Sequence, residues 1–196
     1  MKFDVEPVVL QGEYVRLEPL AAAHAQGLYL RGQEEQDWAY MPRRSFVDLA
    51  DCKQWIDEAL AAAGQLPFAI VEQSRGRAIG STRYLNIRPE HRGLEIGWTW
   101  LGRDWQRTAA NTETKLLLLQ HAFEALGSVR VEFKADARNE RSQAALKRIG
   151  AVREGVRRKH MFVQDDYLRD SVYFSVISEE WPAIKAGLLT RIGDTQ

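Results

Sequence analysis

The sequence lacks the features that would direct it to several classes of protein. Cys52 is the one cysteine, so the chain forms no internal disulfide and has no cysteine cluster to hold a metal. Lys and Arg total 27 and Asp and Glu total 27, which leaves no net charge to attract nucleic acid or an anionic membrane. No run of about 18 apolar residues occurs that would span a bilayer. We therefore expect no nucleic-acid partner and no membrane partner.

Signals for export, metal binding and multiple domains are also missing. Residues 1–6 carry charges where a signal peptide has its apolar core, which favours an unprocessed, cytoplasmic protein. The histidines show no metal-ligand spacing, so we predict no metal site. The length of 196 residues, with 45% hydrophobic and 28% charged residues, is typical of one globular domain covering residues 1–196.

Hydrophobic periodicity predicts an alternation of strands and helices. The predicted strands are residues 14–19, 68–71, 78–85, 94–101, 129–135, 152–163 and 168–177. The predicted helices are residues 21–31, 48–64, 111–126, 139–149 and 179–189, the third beginning at Asn111 or Thr112. Asp48 and Asn139 are suited to cap helices, and Gly64, Gly127 and Gly150 to end them.

The order of these elements predicts an α/β (α+β) fold. The fourth and fifth strands flank a helix, so they are parallel if they are neighbours, whereas the first strands form antiparallel hairpins. We expect a mixed, mostly antiparallel sheet of six to seven strands with helices on both faces. A ligand crevice is expected at the carboxyl end of the parallel pair.

The segment between the fourth strand and its helix, residues 102–112, has two interpretations. Free backbone N–H groups at a helix N-terminus bind phosphate, and Arg103 and Arg107 would add positive charge. Alternatively, the segment only connects a strand to a well-capped helix.

Several stretches resemble the GNAT N-acetyltransferases, with the RimJ/RimL type as the most similar branch. They are EIGW at residues 95–98, WQRTAANTETKL at 105–116, ADARNERSQAAL at 135–146, IGA at 149–151, and GVRR and RDSVY at 155–158 and 169–173. The resemblance extends from about residue 15 to residue 181. It implies transfer of an acetyl group from acetyl-CoA to an amine, with the cofactor held between fourth and fifth strands that splay apart.

The resemblance also implies which residues contact acetyl-CoA. The pantetheine arm would pair with the backbone of Thr99, Trp100 and Leu101. The pyrophosphate would lie on Gln106, Arg107, Thr108, Ala109, Ala110 and Asn111. The family usually has small residues, glycine above all, where this chain has Ala109 and Asn111. Because Ala109 is compatible with the first turn of a helix, we expect cofactor binding to persist.

Asn139 and Ser142 are the next candidates under this resemblance. Asn139 would contact the pantetheine arm, and Ser142 would donate a proton to the departing thiolate as general acid. The alternatives are that Asn139 only caps its helix and that Ser142 only occupies the first turn.

Glu95 is the candidate general base, because an ammonium must lose a proton before its nitrogen can attack a thioester. Its position, 11 residues before Gln106, matches the catalytic glutamate of histone-type members of the superfamily. The alternative is a carboxylate paired with Arg83 or Arg92. His160, Asp104 or a water molecule are other candidate bases.

The resemblance also implies that the acceptor lies between the first two helices and the last hairpin. Asp37, Trp38 and Tyr40 lie in a predicted loop there and offer an acid and aromatic rings to a cationic amine. Alternatively, Trp38 and Tyr40 fill the core beneath that loop. The acceptor is either a peptide or a small molecule. A non-catalytic module that binds acyl-CoA is the rival function, a structural subunit is a third, and a homodimer through the last hairpin is possible.

Overall fold

The computed structural model describes residues 3–194, so Met1, Lys2, Thr195 and Gln196 lie outside the described residues. The strands are β1 (Leu10–Gln11), β2 (Val15–Pro19), β3 (Leu66–Glu72), β4 (Arg77–Arg88), β5 (Gly93–Leu101), β6 (Arg130–Asp136), β7 (Val152–Phe162) and β8 (Leu168–Ile177). The helices are α1 (Ala25–Arg31), α2 (Glu35–Trp38), α3 (Leu49–Ala61), α4 (Ala109–Gln120), α5 (Glu140–Arg148) and α6 (Trp181–Gly193).

Asp48 sets the start of α3 and Gly150 sets the end of α5, as the sequence predicts. Asp48 caps α3, since its side chain accepts a hydrogen bond from the backbone N–H of Asp51 at 2.8 Å. Gly150 follows α5 with a φ of +95°, and its N–H donates to the carbonyl of Lys147 at 3.0 Å. That left-handed conformation suits glycine and turns the chain out of the helix.

The described strands form one sheet in the order β1-β2-β3-β4-β5-β6-β8-β7. β5 and β6 are parallel and the other neighbours are antiparallel. Alternate residues of β3 point to two separate cores: Phe68 and Ile70 pack in the core that includes α4, α5 and α6, whereas Ala69 and Val71 pack in the core that includes α1 and α3. Helices therefore cover both faces, and the predicted mixed sheet with a parallel central pair is confirmed.

The two parallel strands separate soon after they meet. β5 and β6 pair at residues 93–95 and 130–132, although β5 continues to Leu101 and β6 to Asp136. β5 has a bulge where the two strands separate. From Gly97 to Trp100 the chain of β5 advances by three residues, whereas β4 opposite it advances by two. The extra residue bends β5, and the carboxyl halves of the parallel strands are left unpaired with each other.

The structure also corrects details of the predicted elements. The sheet contains the two-residue strand β1, which is too short for an alternation pattern to reveal. The predicted helix at residues 21–31 is a 3-10 turn followed by α1, and the predicted loop around Asp37 contains the single-turn helix α2. The third predicted helix begins at Ala109 and ends in a π-helical turn, His121–Ala125.

Candidate active site

The separation of β5 and β6 opens a cavity of about 870 Å³, lined by both strands and by the first turns of α4 and α5. A second cavity of about 730 Å³ adjoins it, and Gln106 and Asn139 line both. Each volume lies in the range that holds a small-molecule ligand. The crevice therefore lies at the carboxyl end of the parallel pair.

Glu95 lies on β5 where the pairing with β6 ends, with 1% of its surface exposed. Asn86 donates a hydrogen bond from Nδ2 to Glu95 Oε2 at 2.7 Å, and Lys134 Nζ lies 3.3 Å from Oε1. Oε1 accepts no hydrogen bond from the residues that the structure describes. The ion partner is thus Lys134, and not Arg83 or Arg92. Oε1 is therefore a buried carboxylate oxygen that has the Lys134 ammonium beside it but accepts no hydrogen bond.

Arg83 does not pair with Glu95 but stacks against two tryptophans. Its guanidinium lies between the rings of Trp55 and Trp98, at 5.1 and 4.6 Å from their centroids. Arg83 also donates to Gln65 Oε1 at 3.0 Å, and burial lowers the pKa of Arg83 to about 10. Because Trp98 lines the cavity in a left-handed conformation, with a φ of +51°, this stacking helps to hold the bulge of β5.

Lys115 reaches the same cavity from α4 and is 7% exposed. Its Nζ donates to Thr99 Oγ1 at 2.8 Å and lies 5.6 Å from the ring centroid of Phe133. Burial lowers the pKa of Lys115 to about 7. Sequence reasoning missed this residue, because a lysine on a helix is usually solvated. Its position four residues after Asn111, on the same face of α4, is the one signal that could have found it.

The strand edge predicted to bind pantetheine is formed by Thr99, Trp100 and Leu101. These residues form no ladder with β6, so this edge of β5 faces the cavity. The side chains of Trp100 and Leu101 pack in the two cores, which leaves mainly backbone for a ligand. Gln106 Nε2 donates to the carbonyl of Leu101 at 2.9 Å and connects this edge to the following loop.

The loop that ends in α4 has an exposed helix N-terminus. Thr108 caps α4, accepting from the N–H of Ala110 at 3.2 Å, so the helix begins at Ala109 and not at Asn111 or Thr112 as predicted. The left-handed residue of the loop is Arg107, with a φ of +62°. Ala109 lies in the first helical turn, where it needs no positive φ.

Basic side chains surround this helix N-terminus. The arginines that line the adjoining cavity are Arg103, Arg107, Arg138 and Arg141. Arg141 donates to Gln106 Oε1 at 3.1 Å, which holds the start of α5 close to the loop. Free N–H groups at a helix start together with several arginines suit an anion such as a diphosphate.

Asn139 and Ser142 both line the cavity at the start of α5. Asn139 Oδ1 accepts a hydrogen bond from the N–H of Ser142 at 2.9 Å, so Asn139 does cap the helix. The contact of Asn139 with a cofactor and the acid role of Ser142 stay predictions. Ser142 is half-buried in the first turn, where the helix dipole favours negative charge nearby.

The structure separates the three residues predicted to bind the acceptor. Asp37 and Tyr40 line the cavity, and Asp37 Oδ2 is buried, 3.7 Å from Arg103 Nε, and accepts no hydrogen bond from the described residues. Trp38 points away into the core with 1% exposure, its Nε1 donating to the carbonyl of Gly32 at 2.9 Å. For Trp38 the structure favours the alternative, in which it fills the core beneath the loop, because its large ring packs against Trp100 and Phe46.

The alternative bases lie elsewhere. Asp104 is exposed in the 3-10 turn before α4. His160 on β7 hydrogen-bonds with Ser171 Oγ at 3.0 Å and Tyr173 Oη at 3.3 Å. Burial and nearby positive charges lower the pKa of His160. Sequence reasoning missed Lys134 on β6 and Arg169 on β8, because a cation on a half-exposed strand gives no periodic signal.

Residues 3–194 contain neither a membrane-spanning helix nor a metal-binding cluster. None of the helices within residues 3–194 has the length and apolar character needed to cross a membrane. The same residues contain no cluster of three or more His, Cys, Asp or Glu side chains placed to hold a metal ion.

Comparison with known proteins identifies the family. The sequence profile of the acetyltransferase (GNAT) domain matches residues 15–152. The chain belongs to the GNAT acetyltransferase family. Among GNAT proteins, "Putative ribosomal N-acetyltransferase YdaF" of Bacillus subtilis (strain 168) is 32% identical over 110 residues, 56% of this chain and 59% of that protein. The match therefore spans less than two thirds of the length of this relative.

Solved GNAT structures confirm the fold over most of the chain. A GCN5-related N-acetyltransferase from Brucella melitensis has a TM-score of 0.92 at 32% identity, covering 96% of this chain and 86% of its own. A structure from T. thermophilus described as a "putative acetyltransferase" has a TM-score of 0.88 at 39% identity, covering 96% of this chain and 98% of its own.

Proposed function

We propose that this GNAT protein is an N-acetyltransferase that transfers the acetyl group of acetyl-CoA directly to a primary amine within a ternary complex. The observation that carries the proposal is the buried Glu95 carboxylate facing the cavity that opens between β5 and β6. Family membership supports acetyl transfer in general, and the geometry supports an acceptor that loses a proton at Glu95.

The residues around the cavity fit acetyl-CoA. The edge of β5 at Thr99–Leu101 has no partner strand on the β6 side within residues 3–194, so its backbone is available to the amides of the pantetheine arm. The N-terminus of α4, with Arg107 in a left-handed conformation, supports binding of the pyrophosphate. When bound, acetyl-CoA supplies an activated acetyl thioester.

Each catalytic role follows from a position in the cavity. Glu95 Oε1 is buried and accepts no hydrogen bond from the described residues, so it is suited to accept a proton from the acceptor ammonium, directly or through water. Lys134 and Asn86 hold that carboxylate in place. Ser142, in the first turn of α5, is suited to give a proton to the sulfur as the thiolate leaves.

The acceptor is a small-molecule amine or the N-terminal amine of a protein. The name of YdaF mentions the ribosome, which makes the amino termini of ribosomal proteins one group to include in an acceptor panel. Asp37 and Tyr40 are the residues that we expect to contact the acceptor.

We also propose a cytoplasmic location.

The test combines ligand binding with thiol release. We expect acetyl-CoA to raise the melting temperature, and thiol to be released with one class of amine in a panel of peptides and small amines. No stabilisation at saturating acetyl-CoA would contradict the cofactor assignment. Stabilisation without thiol release from any acceptor would instead favour a non-catalytic acyl-CoA-binding module.

A variant pair tests the role of Glu95. Glu95→Gln keeps the shape of the side chain but cannot take a proton, so kcat/KM should fall by about 100-fold or more. The binding of acetyl-CoA should change little. Glu58→Gln on the exposed face of α3 is the matched control and should keep full activity. Full activity of Glu95→Gln would assign the base to another group.

A further inference from the structure

Arg169, near the start of β8, is a buried cation that lines the main cavity. Its exposure is 5%, and the one hydrogen bond of its side chain within residues 3–194 runs from Nε to Ser171 Oγ at 2.9 Å. No carboxylate of the described residues lies within the 4.0 Å ion-pair distance of Arg169. A guanidinium without a carboxylate is costly to bury, because it loses water that no anion replaces.

The acids near Arg169 are already bound to other partners. Asp136 is paired with Arg138, which donates from Nε, from a terminal nitrogen and from its backbone N–H. Glu95 is held by Asn86 and Lys134. Burial lowers the pKa of Arg169, whereas the charges of Asp136 and Glu95 raise it. The terminal nitrogens of Arg169 therefore have no acceptor among the described residues, and they are not sealed from the cavity.

Arg169 and Glu95 carry opposite charges and line one cavity. A ligand that places an ammonium at the carboxylate and an anion at the guanidinium would satisfy both buried groups. The planar fork of arginine matches the two oxygens of a carboxylate.

We propose that the acceptor is an amine that also carries a carboxylate, and that Arg169 binds this carboxylate while the amine lies at Glu95. The inference rests on the proposed acetyltransferase function and names the class of its acceptor. The carboxylate belongs either to a free amino acid or to an acidic residue beside the N-terminus of a peptide. Both sources have the same chemistry at Arg169.

The first experiment compares acids with their amides on the wild-type protein. Glycine, β-alanine and γ-aminobutyrate are each paired with the corresponding amide, and a C-terminally amidated Ala-Asp peptide with C-terminally amidated Ala-Asn. For at least one pair, the acid should have a KM lower by about tenfold or more, because the amide leaves the buried guanidinium without its anion. The pair that discriminates identifies the source of the carboxylate.

The outcomes separate this inference from the proposed function. Equal KM values for acid and amide in every pair, with thiol release continuing, would overturn the role of Arg169 and leave the acetyltransferase intact. No thiol release from any amine would overturn the acetyltransferase, and the proposed acceptor class with it.

A binding measurement that needs no turnover adds an independent readout. In a ¹⁵N-labelled protein saturated with CoA, the Nε–H signal of Arg169 should shift when β-alanine or γ-aminobutyrate is added. The corresponding amides should leave that signal in place. No shift with any of the acids would overturn the inference.

Variants complete the test. Arg169→Gln should remove the preference for acid over amide, and Arg169→Lys should restore part of the preference. Arg158→Gln, an exposed position on β7, is the control and should keep it. A preference retained in a folded Arg169→Gln protein would refute the assignment. If circular dichroism shows that this variant does not fold, the acid–amide pairs and the Arg169 signal decide.

Discussion

Replacing Lys115 by methionine should stabilise the protein near neutral pH, and the advantage should disappear as the pH rises. The folded protein holds the pKa of Lys115 at about 7, against 10.5 for a solvated lysine, because burial penalises the ammonium. Between these two values the unfolded chain binds the proton and the folded chain does not. The free energy of unfolding of the wild type therefore rises with pH, by about 1.36 kcal/mol per pH unit relative to the methionine variant.

The size of the effect follows from the two pKa values. The span from about 7 to 10.5 corresponds to about 5 kcal/mol of linked free energy, of which about 3 kcal/mol falls between about pH 7.5 and about pH 9.5. Below pH 7 both states carry the proton, so the difference between the two proteins should become constant. The lost hydrogen bond from Lys115 to Thr99 subtracts about 1 kcal/mol from the advantage of the variant at every pH.

The assay is urea unfolding of both proteins at several pH values, followed by tryptophan fluorescence. Subtracting one protein from the other removes the groups that titrate identically in both, so the remaining pH dependence belongs to Lys115. Lys53→Met, at an exposed position of α3, is the control and should differ from the wild type by the same amount at every pH. A constant difference for Lys115→Met from about pH 7 to about pH 9.5 would refute the reasoning.

Three further predictions follow from buried or capping contacts. Glu113→Ala should destabilise the protein by about 3 kcal/mol or more and speed amide exchange at residues 13–15, because Glu113 accepts hydrogen bonds from all three of those N–H groups; unchanged exchange there would contradict this. Gln164→Ala should speed amide exchange in residues 38–43, since Gln164 Nε2 donates to three carbonyls of that segment; equal exchange in both proteins would count against the contact. Thr108→Ala removes the cap of α4 and should lower the free energy of unfolding in urea by about 1 kcal/mol. Calorimetry should also show weaker binding of acetyl-CoA; an unchanged affinity would show that the cap does not contribute to the binding site.

The fold was predictable because its signals are local. β3 alternates between two apolar sets, and Asp48, Asn139 and Gly150 mark helix ends by chemistry within three or four residues. The predicted start of α4 lies a few residues beyond the observed one, because Thr108, Asn111 and Thr112 are all plausible caps. Which of them caps the helix depends on the conformation of the loop before it.

The buried charges were much less predictable than the fold. The buried Glu113 carboxylate accepts hydrogen bonds from N–H groups that lie 98 to 100 residues away in the sequence. Nothing in the local sequence distinguishes it from a solvated acid on a helix. Glu95 could be assigned to a strand from sequence, but its partner Lys134 is 39 residues away, on the neighbouring strand. The sequence left two roles open for Trp38, because a tryptophan in a polar segment serves as well for the core as for a binding surface.

The extra residue of β5 restricts where this chain can change in length. Between Gly97 and Trp100 the chain takes one step more than β4 opposite it, and this excess separates β5 from β6. Deleting one residue here would let β5 run straight and continue its ladder with β6, which improves the hydrogen bonding of the sheet while closing the cavity. We therefore expect a one-residue deletion at this point to allow folding but not binding, whereas we expect changes in length at the exposed turn of Gly76 to affect neither.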